Sequence, residues 1–286
     1  MKNIHLVVID PQNDFCYPGV DPHLFDDPLQ YILERPTPGA LYVPGADQDM
    51  ERLAAMIYRL GRKISDIHVT QDSHHKIHVA HPIYWVDRNG NPPNPFTEIV
   101  LKSVLDGEWT TKRTGWVKRA INYLQNLEKN GRYPLTIWPE HCLIGHWGHN
   151  IYQPLLSALD AWEEESFGAV DYVTKGSNYH TEHYSAICAD VPDPQDPSTQ
   201  MNKDFLNVVM EADEILIAGE AGSHCVANTV NDADRFFNDP TFLQKVILLE
   251  DAISPVPGFE HLQEDFFKRM KSKGVRTTTT VDYLAV

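Results

Sequence analysis

Short aliphatic runs alternate with helical segments along most of this chain. Residues 4–9, 67–70, 215–218 and 246–249 are β-branched or aliphatic, and each run ends on a polar residue or a glycine. Strands of that kind are buried on both faces, as in a parallel sheet covered by helices. Between them, residues 47–60, 114–129, 150–165, 205–212, 227–238 and 258–273 carry apolar side chains at helical spacing. The alternation predicts an α/β fold, a doubly wound and mostly parallel sheet with helices on both faces in a Rossmann-like three-layer arrangement. Such a sheet holds its reactants at the carboxyl ends of the strands. The 286 residues can bury a sizeable core. There is no internal repeat, and the proline-rich stretches at 18–44, 82–95 and 192–197 have core-like segments on both sides. Residues 1–286 are therefore expected to form one domain with long surface excursions.

The formal net charge of −16 argues against nucleic acid or an anionic membrane surface as a partner. No run of apolar residues is long enough for a membrane span, and the first strand lacks the apolar region and cleavage site of a signal peptide. Four cysteines in a chain of this length do not suggest a disulfide framework. A cytoplasmic protein with a small-molecule partner is the expectation.

In the segment from Glu214 to Val230, a buried strand leads through a small-residue turn to Cys225 in the first turn of a helix. Unpaired N–H groups and the positive dipole end at a helix N-terminus favour thiolate over thiol. The same N–H groups can hold the oxyanion formed when a thiolate attacks a carbonyl. Taken alone, a cysteine there more often packs as a small hydrophobe. Other residues shift that balance. Asp10 closes the first strand, where an α/β sheet places reactants, although a lone Asp there is more often a turn former. Lys175 ends the run Tyr172-Val-Thr-Lys, and a cation near a thiol and a carboxylate lowers the thiol pKa and orients the base. Surface lysines are common, so this signal too is weak in isolation.

Past the second strand, Asp72-Ser-His74 puts a carboxylate and an imidazole on one short loop. Both suit zinc, iron or manganese. His141, in Trp138-Pro-Glu-His141, supplies a third candidate against the alternative of a packed or capping histidine. Three protein ligands leave positions open, as catalytic metal sites do. His78 is a candidate fourth ligand or a partner to one of the three. Cys142, adjacent to His141, is expected to be a packing residue.

Asp10-Pro-Gln-Asn-Asp-Phe-Cys, Gln71-Asp72-Ser-His74, Trp138-Pro-Glu-His141-Cys, Lys175-Gly, Tyr184-Ser and Gly219-x5-Cys225 occur in that order. The series resembles the motifs of nicotinamidases, also called pyrazinamidases, in the isochorismatase-like cysteine hydrolase superfamily. The resemblance runs from the first strand to the helix after Cys225, and Asp251-Ala-Ile-Ser-Pro continues it. It implies that Cys225 is the nucleophile, Asp10 its base and Lys175 the cation beside the thiolate. It implies an oxyanion hole from the N–H groups of Ala221 and Cys225, with a cis peptide at Glu220–Ala221. Asp72, His74 and His141 would hold a divalent metal, zinc first, which binds the ring nitrogen of a pyridine or pyrazine carboxamide. Phe15, Trp138 and Tyr184 match the family's aromatic pocket walls. The implied activity is conversion of nicotinamide, or a similar heteroaromatic carboxamide, to the acid and ammonia, as in NAD salvage, by an enzyme that forms a homo-oligomer.

The chain also departs from the family. Ser223 stands two residues before Cys225, where an acidic residue is usual. Segments 21–42, 84–133 and 190–202 exceed the compact pattern, and inserted loops over strand ends usually shape access or subunit contacts. Two other readings are therefore open: a cysteine amidohydrolase of the same fold acting on a carbamoyl or ureido compound, and a catalytically silent metal-binding scaffold. A metallohydrolase that dispenses with the thiol is a further variant.

Overall fold

The computed structural model describes residues 2–20, 37–238 and 240–285. Its centre is a six-stranded parallel sheet. The strands are β1 (Ile4–Ile9), β2 (Asp66–Asp72), β7 (Asp171–Lys175), β8 (Glu214–Gly219), β9 (Val246–Leu249) and β10 (Arg276–Thr278), in the order β10-β9-β8-β1-β2-β7. Every residue of β1, β8 and β9 is buried, as their largely aliphatic sequences require. The anticipated α/β class and parallel sheet are therefore present.

The edge strands are less apolar. Strand β7, Asp-Tyr-Val-Thr-Lys, is exposed over most of its length, and β10 is Arg-Thr-Thr. Helices connect the parallel strands. Helix 46–60, with Met50, Leu53, Ile57 and Leu60 inward, packs on helix 153–166 and touches β8. Its apolar spacing is the reason it takes that place.

Strand order reverses at β1: the chain moves to β2 on one side and later to β8 on the other. The crevice at such a switch point is where α/β sheets bind ligands. Register brings the strand ends level, with Ile9 beside Gly219 and Asp72 beside Lys175. At Gly219, φ is +110°, and a Cβ would meet the Ile9 carbonyl oxygen at 2.1 Å, so only glycine lets the two backbones approach this closely.

The long segment 84–133 folds on its own small scaffold. Strands β3 (Trp85–Asp87) and β5 (Trp109–Thr111) form an antiparallel ribbon, and helix 117–129 buries Ala120, Tyr123, Leu124 and Leu127. A second ribbon joins β4 (Glu98–Ile99) to β6 (Leu135–Thr136), just before Trp138. The excursion at 190–202 is built on turns in which the Asp193 and Asp196 carboxylates accept backbone N–H groups, with Arg119 of the inserted helix paired to Asp193. Of segment 21–42, residues 21–36 lie outside the described residues. Residues 39–43 run beside 14–17, with Leu41 N–H on Asp14 O at 3.0 Å and Val43 N–H on Phe15 O at 2.8 Å. Among the described residues, no helix is long and apolar enough to cross a membrane.

Candidate active site

Asp10, Asp72 and Lys175 stand at or just past the carboxyl ends of β1, β2 and β7, and the turn after β8 carries Cys225. Asp10 adopts φ of +44°, a left-handed conformation that Asp tolerates better than most residues. That bend takes the chain from the strand into the short helix Asn13–Cys16. Thr70 fixes the Asp10 side chain, since its hydroxyl donates to Asp10 Oδ1 at 2.5 Å and accepts the Asp10 N–H at 3.0 Å. Lys175 Nζ lies 2.8 Å from Asp10 Oδ2, 3.3 Å from Asp72 Oδ1 and 3.7 Å from Cys225 Sγ. All four side chains are buried. One ammonium thus sits among two carboxylates and a thiol.

Burial pushes the Cys225 thiol well above its usual range; Lys175 pulls it down but does not win, because Asp10 and Asp72 oppose it. A thiol raised in this way depends on a nearby base to become a nucleophile. Asp10 is within hydrogen-bonding reach of that thiol. Burial also raises the Asp10 carboxyl above the usual range against the pull of Lys175, which makes it a stronger proton acceptor. Lys175 stays charged: burial would lower it, but Asp10 and Asp72 hold it well above its ordinary value.

The Glu220–Ala221 peptide is cis, as the resemblance implies. Helix 225–237 starts at Cys225 after the turn His224, whose N–H donates to Ala221 O. Among the described residues, the N–H groups of Ala221 and Cys225 meet no acceptor, so both are free for a ligand. Ser223 fills a different role from an acid. Its hydroxyl accepts the Val256 N–H at 3.1 Å and lies 2.8 Å from His224 Nδ1, to which it can donate.

Asp72, His74 and His141 converge. Asp72 Oδ2 is 2.9 Å from His74 Nε2 and 3.5 Å from His141 Nε2. The other ring nitrogens are engaged, His74 Nδ1 with Gly176 O at 3.1 Å and His141 Nδ1 with Pro139 O at 2.8 Å. Donating there leaves both Nε2 lone pairs facing the carboxylate, a set of acceptors that a cation satisfies. Among the described residues, His74 Nε2 and Asp72 Oδ1 are buried with no hydrogen bond, their neighbours being Asp72 Oδ2 and the Lys175 ammonium. The residues fit a divalent metal. Burial opposes charge on both groups, yet Asp72 still raises His74, while His74 and Lys175 hold Asp72 well below the carboxylate range. Gly176 makes room for the cluster: φ is +85°, and a Cβ there would stand 2.6 Å from Asp72 Oδ1.

His78 is not part of this convergence. Its ring lies 4.2 Å from that of His74, but Nδ1 accepts the Ala80 N–H and Nε2 faces Thr181 O at 3.2 Å. Cys142 is fully buried, with its N–H on Asp14 Oδ2, and packs as expected. Phe15, Trp138 and Tyr184 do line one cavity with Cys225, Ala221, Asp72 and His141. Trp138 Nε1 donates to Tyr184 Oη at 2.9 Å, and Phe15 meets His141 edge-on. The cavity is nearly closed, with about 20 Å³ of free space, so a ring enters only if its walls part.

Sequence reasoning passed over Glu182 and His224, which also line the cavity. Glu182 stands two residues before Tyr184, so an acid within a run of His, Thr and Tyr was the available signal. His224, adjacent to Cys225, sits among Tyr133, Trp138, Tyr184 and Phe259.

The fold and the site define an α/β protein with a buried Asp–Lys–Cys cluster and a carboxylate–histidine cluster at the switch point of a parallel sheet. No protein-family model and no curated protein matches the chain. Solved structures do. A nicotinamidase/pyrazinamidase from Acinetobacter baumanii is 21% identical over 99% of this chain and 98% of its own, with a TM-score of 0.60. The yeast nicotinamidase bound to the inhibitor nicotinaldehyde is 19% identical over 96% and 99%, also with a TM-score of 0.60. A Pyrococcus horikoshii pyrazinamidase in complex with zinc is 17% identical over 97% and 99%, with a TM-score of 0.50. The architecture is therefore the nicotinamidase-like, isochorismatase-type fold.

Proposed function

We propose that this protein is a cysteine amidohydrolase acting on nicotinamide or a similar heteroaromatic carboxamide. The observation that carries the proposal is the placing of Asp10, Lys175 and Cys225 in one buried cluster beside two free N–H groups. In this reading Asp10 takes the proton of the Cys225 thiol, and the sulfur attacks the amide carbonyl carbon. The oxyanion is held by the N–H groups of Ala221 and Cys225. Asp10 returns the proton to the amide nitrogen, the C–N bond breaks and ammonia leaves, giving a thioester. Asp10 then takes a proton from water, whose oxygen attacks the thioester carbon. The C–S bond breaks, and the acid and the Cys225 thiol are restored. Lys175 keeps its charge throughout and stabilises the sulfur anion and the Asp10 carboxylate.

Asp72, His74 and His141 would hold a divalent cation, with zinc the first choice because the fold is shared with a zinc-bound pyrazinamidase. The cation would supply a Lewis-acidic contact for the ring nitrogen, orienting the substrate. The flat walls of Phe15, Trp138 and Tyr184 suit an aromatic ring. The protein is expected to work as a homo-oligomer in the cytoplasm. Ammonia release from nicotinamide by purified protein, measured beside Cys225→Ala, tests the proposal. Release that vanishes in the variant supports it; release that persists undiminished assigns the chemistry elsewhere.

A further inference from the structure

Glu182 has no part in the scheme above, yet its carboxyl group is buried at the site. The residue is 3% exposed; Oε1 accepts the His183 N–H at 2.9 Å, and Oε2 has no hydrogen-bond partner among the described residues. It lines the cavity enclosed by Phe15, Trp138, Tyr184 and Cys225. Its backbone is held from behind, with its N–H on Tyr123 Oη at 3.4 Å and its carbonyl accepting the Asp190 N–H at 2.9 Å. Tyr123 belongs to the inserted segment 84–133, so that insertion sets where this carboxylate stands.

A buried acceptor left unpaired is costly, and a ligand that brings a donor recovers the loss. Direct metal ligation accounts for Glu182 poorly. Its oxygen falls within 4.8 Å of ligand nitrogens of His74 and His78, but it does not group with Asp72 and His141, and both His78 nitrogens are engaged. A carboxyl group keeps hydrogen-bond acceptor capacity in either protonation state. The pyridine ring of nicotinamide carries no N–H or O–H to offer it.

We propose that Glu182 is a specificity-determining residue that selects heteroaromatic carboxamides bearing an amino or hydroxyl donor on the ring over unsubstituted nicotinamide. This rests on the amidase reading of the same site. Glu182 lines the same cavity as Asp72, His141 and the aromatic walls, so a donor carried on a ring held there faces a lining that includes this carboxyl group. A site built to hydrogen-bond a donor discriminates strongly against the analogue without it, because its own polar group is then left unpaired.

The test compares kcat/KM for 6-aminonicotinamide and nicotinamide in the wild type, Glu182→Gln and Glu182→Ala, with zinc content and melting temperature measured for each protein. The wild type is expected to favour the amino compound by about tenfold or more. In Glu182→Ala the ratio should fall to near one, chiefly by loss on the amino compound. Glu182→Gln keeps the volume and an acceptor oxygen, so it covers the case in which the alanine variant fails to fold; its ratio should lie between the two. A ratio that is the same in wild type and variants overturns the proposal. So does a loss of zinc in Glu182→Gln, which would make Glu182 a metal-holding residue. Failure of the wild type to hydrolyse either amide removes the amidase reading and this proposal with it, an outcome distinct from turnover without preference.

Discussion

Lys175 Nζ lies 3.7 Å from Cys225 Sγ, with both groups buried and the ammonium also paired to the carboxylates of Asp10 and Asp72. Burial and the carboxylates raise the thiol against the pull of the lysine. Its work is to keep Asp10 ionisable and to stabilise the sulfur anion once it forms.

Lys175→Met tests that division of labour. Removing one partner of a buried ion pair leaves uncompensated charge and typically costs about 3–5 kcal/mol. The variant should therefore unfold at lower denaturant concentration and also lose about a hundredfold or more in kcat. Chemical denaturation and steady-state kinetics check the two parts separately. A variant of unchanged stability would contradict the placement of the charges.

Asp10→Asn should lose nearly as much turnover as Cys225→Ala, and the double variant little more than either, because residues that act as a unit are not additive. Cys225→Ala should stay folded, since alanine suits the helix it opens. Kinetics on the three proteins, with circular dichroism as the folding control, decide the point. Losses that multiply in the double variant would show two independent roles.

His74→Ala should weaken zinc binding and mainly raise KM, because a cation that orients substrate contributes to binding more than to bond breaking. Chelator titration of the wild type should lower the melting temperature, since a ligand that binds only the folded state stabilises it. A loss confined to kcat would point instead to a metal-activated water.

Acid stability should depend on His224. Burial among four aromatic rings lowers its pKa to about 3, whereas an unfolded chain has the ordinary 6.5. The unfolded state therefore binds more protons below that value. The contribution of the neutral ring is fully present above pH 6.5 and is lost progressively as pH falls towards 3. Every tenfold difference in proton affinity between the folded and unfolded chain is worth about 1.4 kcal/mol. Melting temperatures between pH 7 and pH 4 should fall less steeply in His224→Phe than in the wild type, and equal slopes would contradict the assignment.

Much of this was legible in the sequence, for identifiable reasons. Strands β1, β8 and β9 are buried on both faces, so their aliphatic runs announced themselves. Strand β10, Arg-Thr-Thr at the sheet edge, went unread because it has no apolar run, and β7 showed only as the approach to Lys175. Asp10, Lys175, Cys225, Asp72, His74 and His141 were each singled out at a strand end, in the turn after one, or in a short ligand motif, and the fold brings them together. The depth at which Cys225 is buried was not legible, because the sequence shows the helix N-terminus but not what packs over it. Glu182 escaped notice because its meaning depends on Tyr123 and His74, which are distant in the chain.

The most direct test of the account is intact-protein mass spectrometry after acid quenching of the enzyme during turnover of nicotinamide, followed by peptide mapping. An acyl adduct is expected on the peptide that carries Cys225 and should be absent in Cys225→Ala. Turnover with no adduct on Cys225, and with full activity in Cys225→Ala, would contradict it.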